Sequence, residues 1–497
     1  MTTTSSAPEP ILGSTAAEPA PDYGLLRWLV LATFIVILNE TVMANALPRL
    51  TIEFGIAETT AQWLTSGFLL TMAVVIPVTG WFLQRVTTRQ AFTTAMSTFC
   101  AGTLLAALAP TFEILLAARI VQAMGTAVMM PLLMTTLMTL VREQDRGRVM
   151  GNVTLAMSVA PALGPAVSGV VLHVASWRWM FGLVLPLAVL ATVAGLRRLT
   201  NVGQTTAGSI DWLSVAMSAL GFGPFVYGLS QLGGDAVPAG VTYGAIAFGT
   251  AVLVAFVLRQ RALQRTEAAG RGPLLDLRTL THRTYALGLV LMAVAFMALL
   301  GSLLLLPLYL QNVRDLSELQ SGLLVMPGGL AMGLMGPQVG KVYDRVGARP
   351  LVIPGAVVIL AALLGFTRVG LDTPMAVLIG MHLALMIGLA AVFTPVFTIA
   401  LGSLPPQLYS HGSSLLGALQ QVAGAAGAAL VIAVSSARAE SLVADGVAGL
   451  DAAVGGMRWG FGIGAVAGLI MLAVALVLPS RADGEGAAAS EAPAAAH

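Results

Sequence analysis

Gly340-Lys341-Val342-Tyr343-Asp344-Arg345-Val346-Gly347-Ala348-Arg349 closes one long apolar run and precedes another. Gly80-Trp81-Phe82-Leu83-Gln84-Arg85-Val86-Thr87-Thr88-Arg89 does the same nearer the start. Four of the ten positions agree, and the copies begin 260 residues apart. A repeat at that distance means two halves built alike, the plan of many membrane transporters, whose substrate site lies between the halves near the bilayer midplane. Composition agrees with a membrane setting. The chain has 497 residues, 57% hydrophobic and only 10% charged, whereas soluble domains carry roughly 25% charged residues. A soluble enzyme is excluded, and with Cys100 as the single cysteine a disulfide-stapled scaffold is excluded too.

Fourteen apolar runs are long enough to cross a bilayer, which takes about 20 residues. They lie at 24–46, 62–83, 92–110, 113–140, 148–174, 178–196, 211–231, 240–258, 285–310, 319–339, 350–368, 374–401, 411–434 and 456–479. They are continuously apolar, so helices are expected rather than barrel strands, which alternate. With both termini inside, eighteen of the 25 Lys and Arg residues fall on the inner side and six on the outer, with Arg119 left within a span. That bias fixes the expected orientation. The expected divisions are a disordered tail at 1–22, a six-helix bundle at 23–200, two inserted helices and a linker at 201–270, a second six-helix bundle at 271–480, and a disordered tail at 481–497. The first tail lacks the basic start and short apolar core of a signal peptide. Trp28, Trp81, Trp177, Trp179 and Trp459 sit at run edges, as interfacial anchors do.

The loop pattern Gly340-x-x-x-Asp344-Arg345-x-Gly347-x-Arg349 resembles the loop motif of the major facilitator superfamily, and Gly80, Arg85 and Arg89 belong to its weaker copy. Fourteen spans resemble its drug:proton antiporter branch of the QacA/EmrB type. Leu38-Asn39-Glu40-Thr41-Val42-Met43-Ala44-Asn45-Ala46-Leu47-Pro48 is similar to that branch's first-helix signature. Arg119-x-x-Gln122-x-x-Gly125 resembles its proton-coupling motif in helix four, and Ala160-x-x-x-Gly164-Pro165-x-x-Ser168-Gly169 its antiporter motif in helix five. Leu404-Pro405-Pro406-Gln407-Leu408-Tyr409-Ser410-His411-Gly412-Ser413, with Gln420-Gln421, resembles the lincomycin-type multidrug exporters of the branch. Two positions depart: Gln84 stands where the family's loop aspartate is usual, and Asn39, followed by Glu40, stands for the first-helix aspartate. The resemblance implies an all-α polytopic membrane protein with a major facilitator fold, two six-helix bundles plus two extra central helices.

Glu40 is the one carboxylate placed well inside a run, and an intramembrane acid is a functional candidate by default. It is expected to carry a proton, the alternative being a shallow, hydrated position near the outer end. Arg119 stays charged and therefore needs a cavity or a partner; the readings are proton coupling or a clamp on backbone carbonyls. Gly164, Pro165 and Gly169 suit a helix that bends and packs closely. Met130, Met134 and Met138 share one helix face and, with Met157, suit either an adaptable cavity wall or plain packing. Asn39, Asn45, Gln122, Gln311, Gln420 and Gln421 are candidates for the substrate cavity or for helix-to-helix bonds. His382 is a candidate second titrating group or a histidine satisfied by a neighbouring helix.

No Gly-x-x-x-x-Gly-Lys-[Ser/Thr] loop is present for ATP, no metal-ligand spacing among five histidines and one cysteine, and no basic domain for nucleic acid. No cofactor, metal or enzymatic activity is expected. The expected activity is proton-coupled efflux of hydrophobic or amphipathic drugs across a bacterial inner membrane by alternating access, by a monomer with both termini cytoplasmic. A dedicated exporter of a metabolite, lipid or self-made antibiotic is the alternative. Uptake symport finds no Glu-x-x-Glu-Arg signature in the first helix, and a non-transporting sensor would not need the helix-five run.

Overall fold

The computed structural model describes residues 24–203, 205–206, 208–232, 237–265 and 272–481, and the elements among them are helices. The expected tails lie outside the described residues apart from Arg481. The long helices, numbered here in chain order, are α1 (Gly24–Thr41), α2 (Trp63–Arg85), α3 (Thr88–Ala107), α4 (Phe112–Leu140), α5 (Arg146–Val174), α6 (Arg178–Arg198), α7 (Trp212–Ser230), α8 (Ala239–Arg265), α9 (Arg283–Asn312), α10 (Glu318–Val346), α11 (Arg349–Phe366), α12 (Met375–Gly402), α13 (Tyr409–Ala444) and α14 (Gly449–Val477). Thirteen are long and apolar enough to cross a membrane. The fourteenth, α3, has 20 residues but spends much of its first half on Thr, Ser, Arg and Gln; it still packs between α4 and α6.

Helix starts follow local chemistry. Thr87 caps α3 and Ser317 caps α10, each in a reciprocal box with Gln90 or Gln320 three residues on. The run expected at 24–46 divides: α1 stops at Thr41, a 3-10 turn covers Ala44–Ala46 and a short helix runs Leu47–Phe54. Pro48 falls in the first turn of the new helix. A proline there lacks only an N–H that would have had no partner within the helix.

The pairing of helices in the first six recurs, shifted by eight, in the last six. α1 packs on α4, α5 and α6 as α9 packs on α12, α13 and α14; α2 meets α4 as α10 meets α12; α3 meets α4 and α6 as α11 meets α12 and α14. The bundles meet along two seams, α2/α13 and α5/α10. The inserted helices pack on each other, and α7 lies across the α2/α13 seam, touching both helices. With little hydrophobic drive between helices in lipid, small residues set the closest approaches. At the α5/α10 seam Gly147 faces Gly340 and Gly151 faces Gly336, so close that a Cβ on any of them would overlap the opposite backbone.

Trp177 departs from the expected interfacial role. It is buried, stacked edge-on against Phe54 and Phe181, and its indole N–H donates to Glu53 at 2.7 Å. Glu53 also accepts from Arg178, which holds its carboxyl below the usual carboxylate range. The short helix after α1 is thereby tied to the start of α6.

Candidate functional site

Arg119 projects from the second turn of α4 into a closed setting. Its side chain is fully buried; Nη1 donates to Gln122 Oε1 at 3.0 Å and Nε to the Leu64 carbonyl of α2 at 3.4 Å. The guanidinium lies 4.1 Å above the Phe68 ring, a cation–π contact. Gln122 passes the chain on, donating from Nε2 to Thr103 Oγ1 of α3 at 2.9 Å. Arg119 Nη2 has no hydrogen-bond partner. Glu40, in the last turn of α1, lies within electrostatic range of Arg119, yet the two form no ion pair in this conformation. Asn39 beside it is fully buried, with neither amide atom bonded.

The motif residues of α1 and α5 come together. Gly164 of α5 receives Thr41, and a Cβ there would collide with the Thr41 hydroxyl. Four residues on, Asn45 donates from Nδ2 to the Pro165 carbonyl at 3.0 Å and to Ser168 Oγ at 2.9 Å. Pro165 has no N–H to give, so α5 misses a helical bond there, and the Asn45 contact ties that point of α5 to the turn after α1. Gly169, by contrast, faces open space.

The bundles are closed at their Arg-rich end. Asp344, in the last turn of α10, accepts from the backbone N–H groups of Gly147 at 2.7 Å and Arg148 at 2.8 Å. A carboxylate at the start of a 29-residue helix meets both free donors and the positive end of the dipole. On the equivalent seam Gln84 donates to the Gln407 carbonyl at 2.9 Å, just before α13, and Gly80 lies against His411. Thr79–Ser414, Thr135–Ser413 and Thr154–Thr394 hydroxyl pairs, at 2.8, 3.0 and 2.9 Å, and Arg146 on Tyr409 Oη at 3.3 Å, complete the closure. Among the described residues the outermost polar contact between bundles is Gln421 on Met72 Sδ at 3.8 Å. Beyond it a cavity lies between α2 and α13.

Other loop residues lie nearby. Arg85 donates to the Trp81 carbonyl and to Gln84 Oε1, over the Trp81 ring. Arg89 and Arg345 are exposed. Gly347 turns the chain at φ 81° with Ser480 packed against it, and Arg349 bonds the Leu476 carbonyl of α14 at 2.9 Å.

The expected cavity residues are not gathered in one place. Gln122 and Asn45 bond other helices, as above. Met134 and Met138 are buried in the hydrophobic core, with Met130 and Met157 half-buried against it. Gln311 is half-buried at the far end of α9. Gln420 is buried with its amide nitrogen unbonded, whereas its neighbour Gln421 lines a cavity between α2, α7, α9 and α13. His382 bonds the Val325 carbonyl at 3.1 Å and packs on Gly328. Helix rotation decides the Gln pair: adjacent residues lie about 100° apart, so one faces the core and the other the opening.

The Major Facilitator Superfamily profile matches residues 29–428. The chain belongs to that superfamily. Its members here are transporters rather than enzymes. The lincomycin resistance protein LmrB of Listeria monocytogenes is 39% identical over 467 residues, covering 94% of this chain and 97% of that protein. The multidrug resistance protein B homolog of Mycobacterium tuberculosis is 30% identical over 432 residues, covering 86% and 79%. Among solved structures, the proton:xylose symporter XylE bound to a glucose analogue superposes with a TM-score of 0.62 at 16% identity, covering 94% of this chain and 99% of that one. The human organic anion transporter MFSD10 gives 0.60 at 16%, covering 91% and 98%. At those identities the superpositions speak for the superfamily fold alone. The shifted pairing of the two bundles is that fold's duplication seen in this chain.

Proposed function

We propose that the protein exports hydrophobic or amphipathic drugs from the cytoplasm across a bacterial plasma membrane, as a monomer, in exchange for protons. The Arg-rich end is then cytoplasmic, and the structure corresponds to the conformation open to the outside. The observation that carries the reading is the Glu40–Arg119 relationship. An intramembrane acid stands within electrostatic reach of a buried guanidinium that keeps one nitrogen unbonded, and no ion pair joins them. Buried polar atoms without partners are rare in a settled core; here they suit a site whose partners change. The similarity to lincomycin and multidrug resistance proteins supports drugs as the cargo.

Each part of the cycle has a residue. In the outward-open state Glu40 takes a proton from outside while substrate leaves. Release of the Asp344 latch then lets the cytoplasmic ends part, and the bend at Pro165 carries the end of α1 with it through Asn45 and Thr41. Facing inward, Glu40 gives up the proton, Arg119 balances the remaining charge, and a new substrate binds. One charge crossing 100 mV supplies about 2.3 kcal/mol, roughly fifty-fold in substrate gradient.

The test is proton flux in proteoliposomes with an inward-directed pH gradient and an interior pH dye, adding lincomycin, ethidium or tetraphenylphosphonium. Wild type is expected to dissipate the gradient when substrate is present, and Glu40→Gln is expected to lose that response. An equal response in Glu40→Gln refutes the assigned proton site, and a wild type inert to the whole panel refutes broad drug export.

A further inference from the structure

The two bundles account for twelve helices, and the inserted α7 covers the α2/α13 seam. Among the described residues no helix covers the α5/α10 seam in the same way. Where α2 and α13 part, α7 does not fill the gap; it encloses a cavity of about 270 Å³. Trp63 and Ser66 of α2, Tyr227 of α7, Leu304 of α9, and Gln421 and Ala425 of α13 line it, and among the described residues no charged one does. The small side chains on this face of α13 are the kind that normally bring helices together, yet here they border open space.

Two features give the cavity chemistry. Trp63 and Tyr227 stack across the α2–α7 contact, centroids 5.7 Å apart and planes within 16°; Trp63 is 39% exposed, which puts the pair at the mouth. Gln421, deeper in, spends its amide on one long contact to Met72, so it retains donors and an acceptor for a ligand. Among the described residues of these walls a fully charged group would find no counter-charge, and an unpaired charge is costly to bury.

We propose that α2, α7, α9 and α13 form a lateral binding site for the flat, uncharged aromatic part of an amphipathic substrate. The ring packs at Trp63 and Tyr227, and a hydrogen-bonding group reaches Gln421. The site rests on the export reading above and gives the inserted helix a role in choosing cargo: it converts a seam between bundles into a walled compartment.

Chloramphenicol, a neutral nitrophenyl amide, is the probe, measured as radioligand binding to the full-length protein in nanodiscs. Tyr227→Ala is expected to weaken binding about tenfold, while Tyr227→Phe keeps the ring and stays within about twofold. Ala425→Leu fills the cavity from the opposite wall and is expected to abolish binding with the aromatic pair intact. Ala428→Cys, made in a Cys100→Ser background, reports occupancy directly, since chloramphenicol should slow its maleimide labelling. Wild-type affinity in Ala425→Leu, or labelling unchanged by chloramphenicol, overturns the site. Proton flux driven by tetraphenylphosphonium is measured alongside. Flux without chloramphenicol binding overturns the lateral site alone, whereas absent flux overturns the export reading.

Discussion

The carboxylate of Asp344 on α10 closes on the first free N–H groups of α5, taking Gly147 at 2.7 Å and Arg148 at 2.8 Å. One acid therefore joins the C-terminal bundle to the N-terminal bundle through backbone donors.

Asp344→Asn keeps the shape but loses the charge that favours a helix N-terminus. Charge-assisted bonds are worth about 1.5–3 kcal/mol, so the balance between closed and open Arg-rich ends should move roughly tenfold or more toward open. Maleimide labelling of a cysteine placed at Ser413, buried in the closed interface, measures it. An unchanged labelling rate removes Asp344 from the latch.

Gly151→Val tests the backbone contact itself. Its side chain would overlap the Gly336 carbonyl, so the closed state is expected to be blocked while each bundle still folds. Substrate-driven proton flux should vanish with the melting temperature nearly unchanged. Retained flux would show that the seam yields.

Gln122→Ala removes the link between Arg119 and Thr103 and strands a buried guanidinium nitrogen. Leaving buried partners unsatisfied costs about 1–3 kcal/mol, so a lower melting temperature is expected together with lost coupling. Gln122→Glu, which can still accept from Arg119, should recover part of the stability. If both variants melt like wild type, the chain of bonds is incidental.

Asp211, just before α7, forms a forked pair with Arg259 of α8 at 2.8 and 2.8 Å and also accepts from Ser214. These bonds hold its carboxyl down at about 2, against an ordinary 3.8. A depressed carboxylate contributes its stability above the ordinary value and loses it as pH falls through the depressed one. The α7–α8 clamp should thus be constant from pH 5 to 8 and weaken only below about 4. Asp211→Asn should lower the melting temperature by the same amount at pH 5.5 and pH 7.5; a difference that grows between those values would assign the clamp to another group.

The repeat at Gly80 and Gly340 was enough to imply paired bundles, because a duplicated loop demands a duplicated frame. Hydrophobic runs located the helices but missed the break after Thr41, since Val42, Met43 and Ala46 are apolar whether or not the helix continues. Glu40, Arg119, Gly164 and Asp344 were legible as motif residues. Their partners were not: Thr103, Leu64, the Gly147 amide and Gln407 contribute through backbone position or long-range packing, which spacing does not encode. The choice between Gln420 and Gln421 turned on helix rotation. The α7 cavity was invisible because it is made of ordinary residues brought near one another by the bundles.

Glycine against glycine at the α5/α10 seam has a kinetic consequence. Closed helices usually interlock side chains, and separating them requires rotamers to change in concert. At 147, 151, 336 and 340 backbone meets backbone, with few side chains between. Parting this stretch of the seam would mean breaking a few directional bonds and sliding one smooth surface off another, so the rate of opening at the Arg-rich end is expected to follow the lifetime of the Asp344 hydrogen bonds more than friction within the seam.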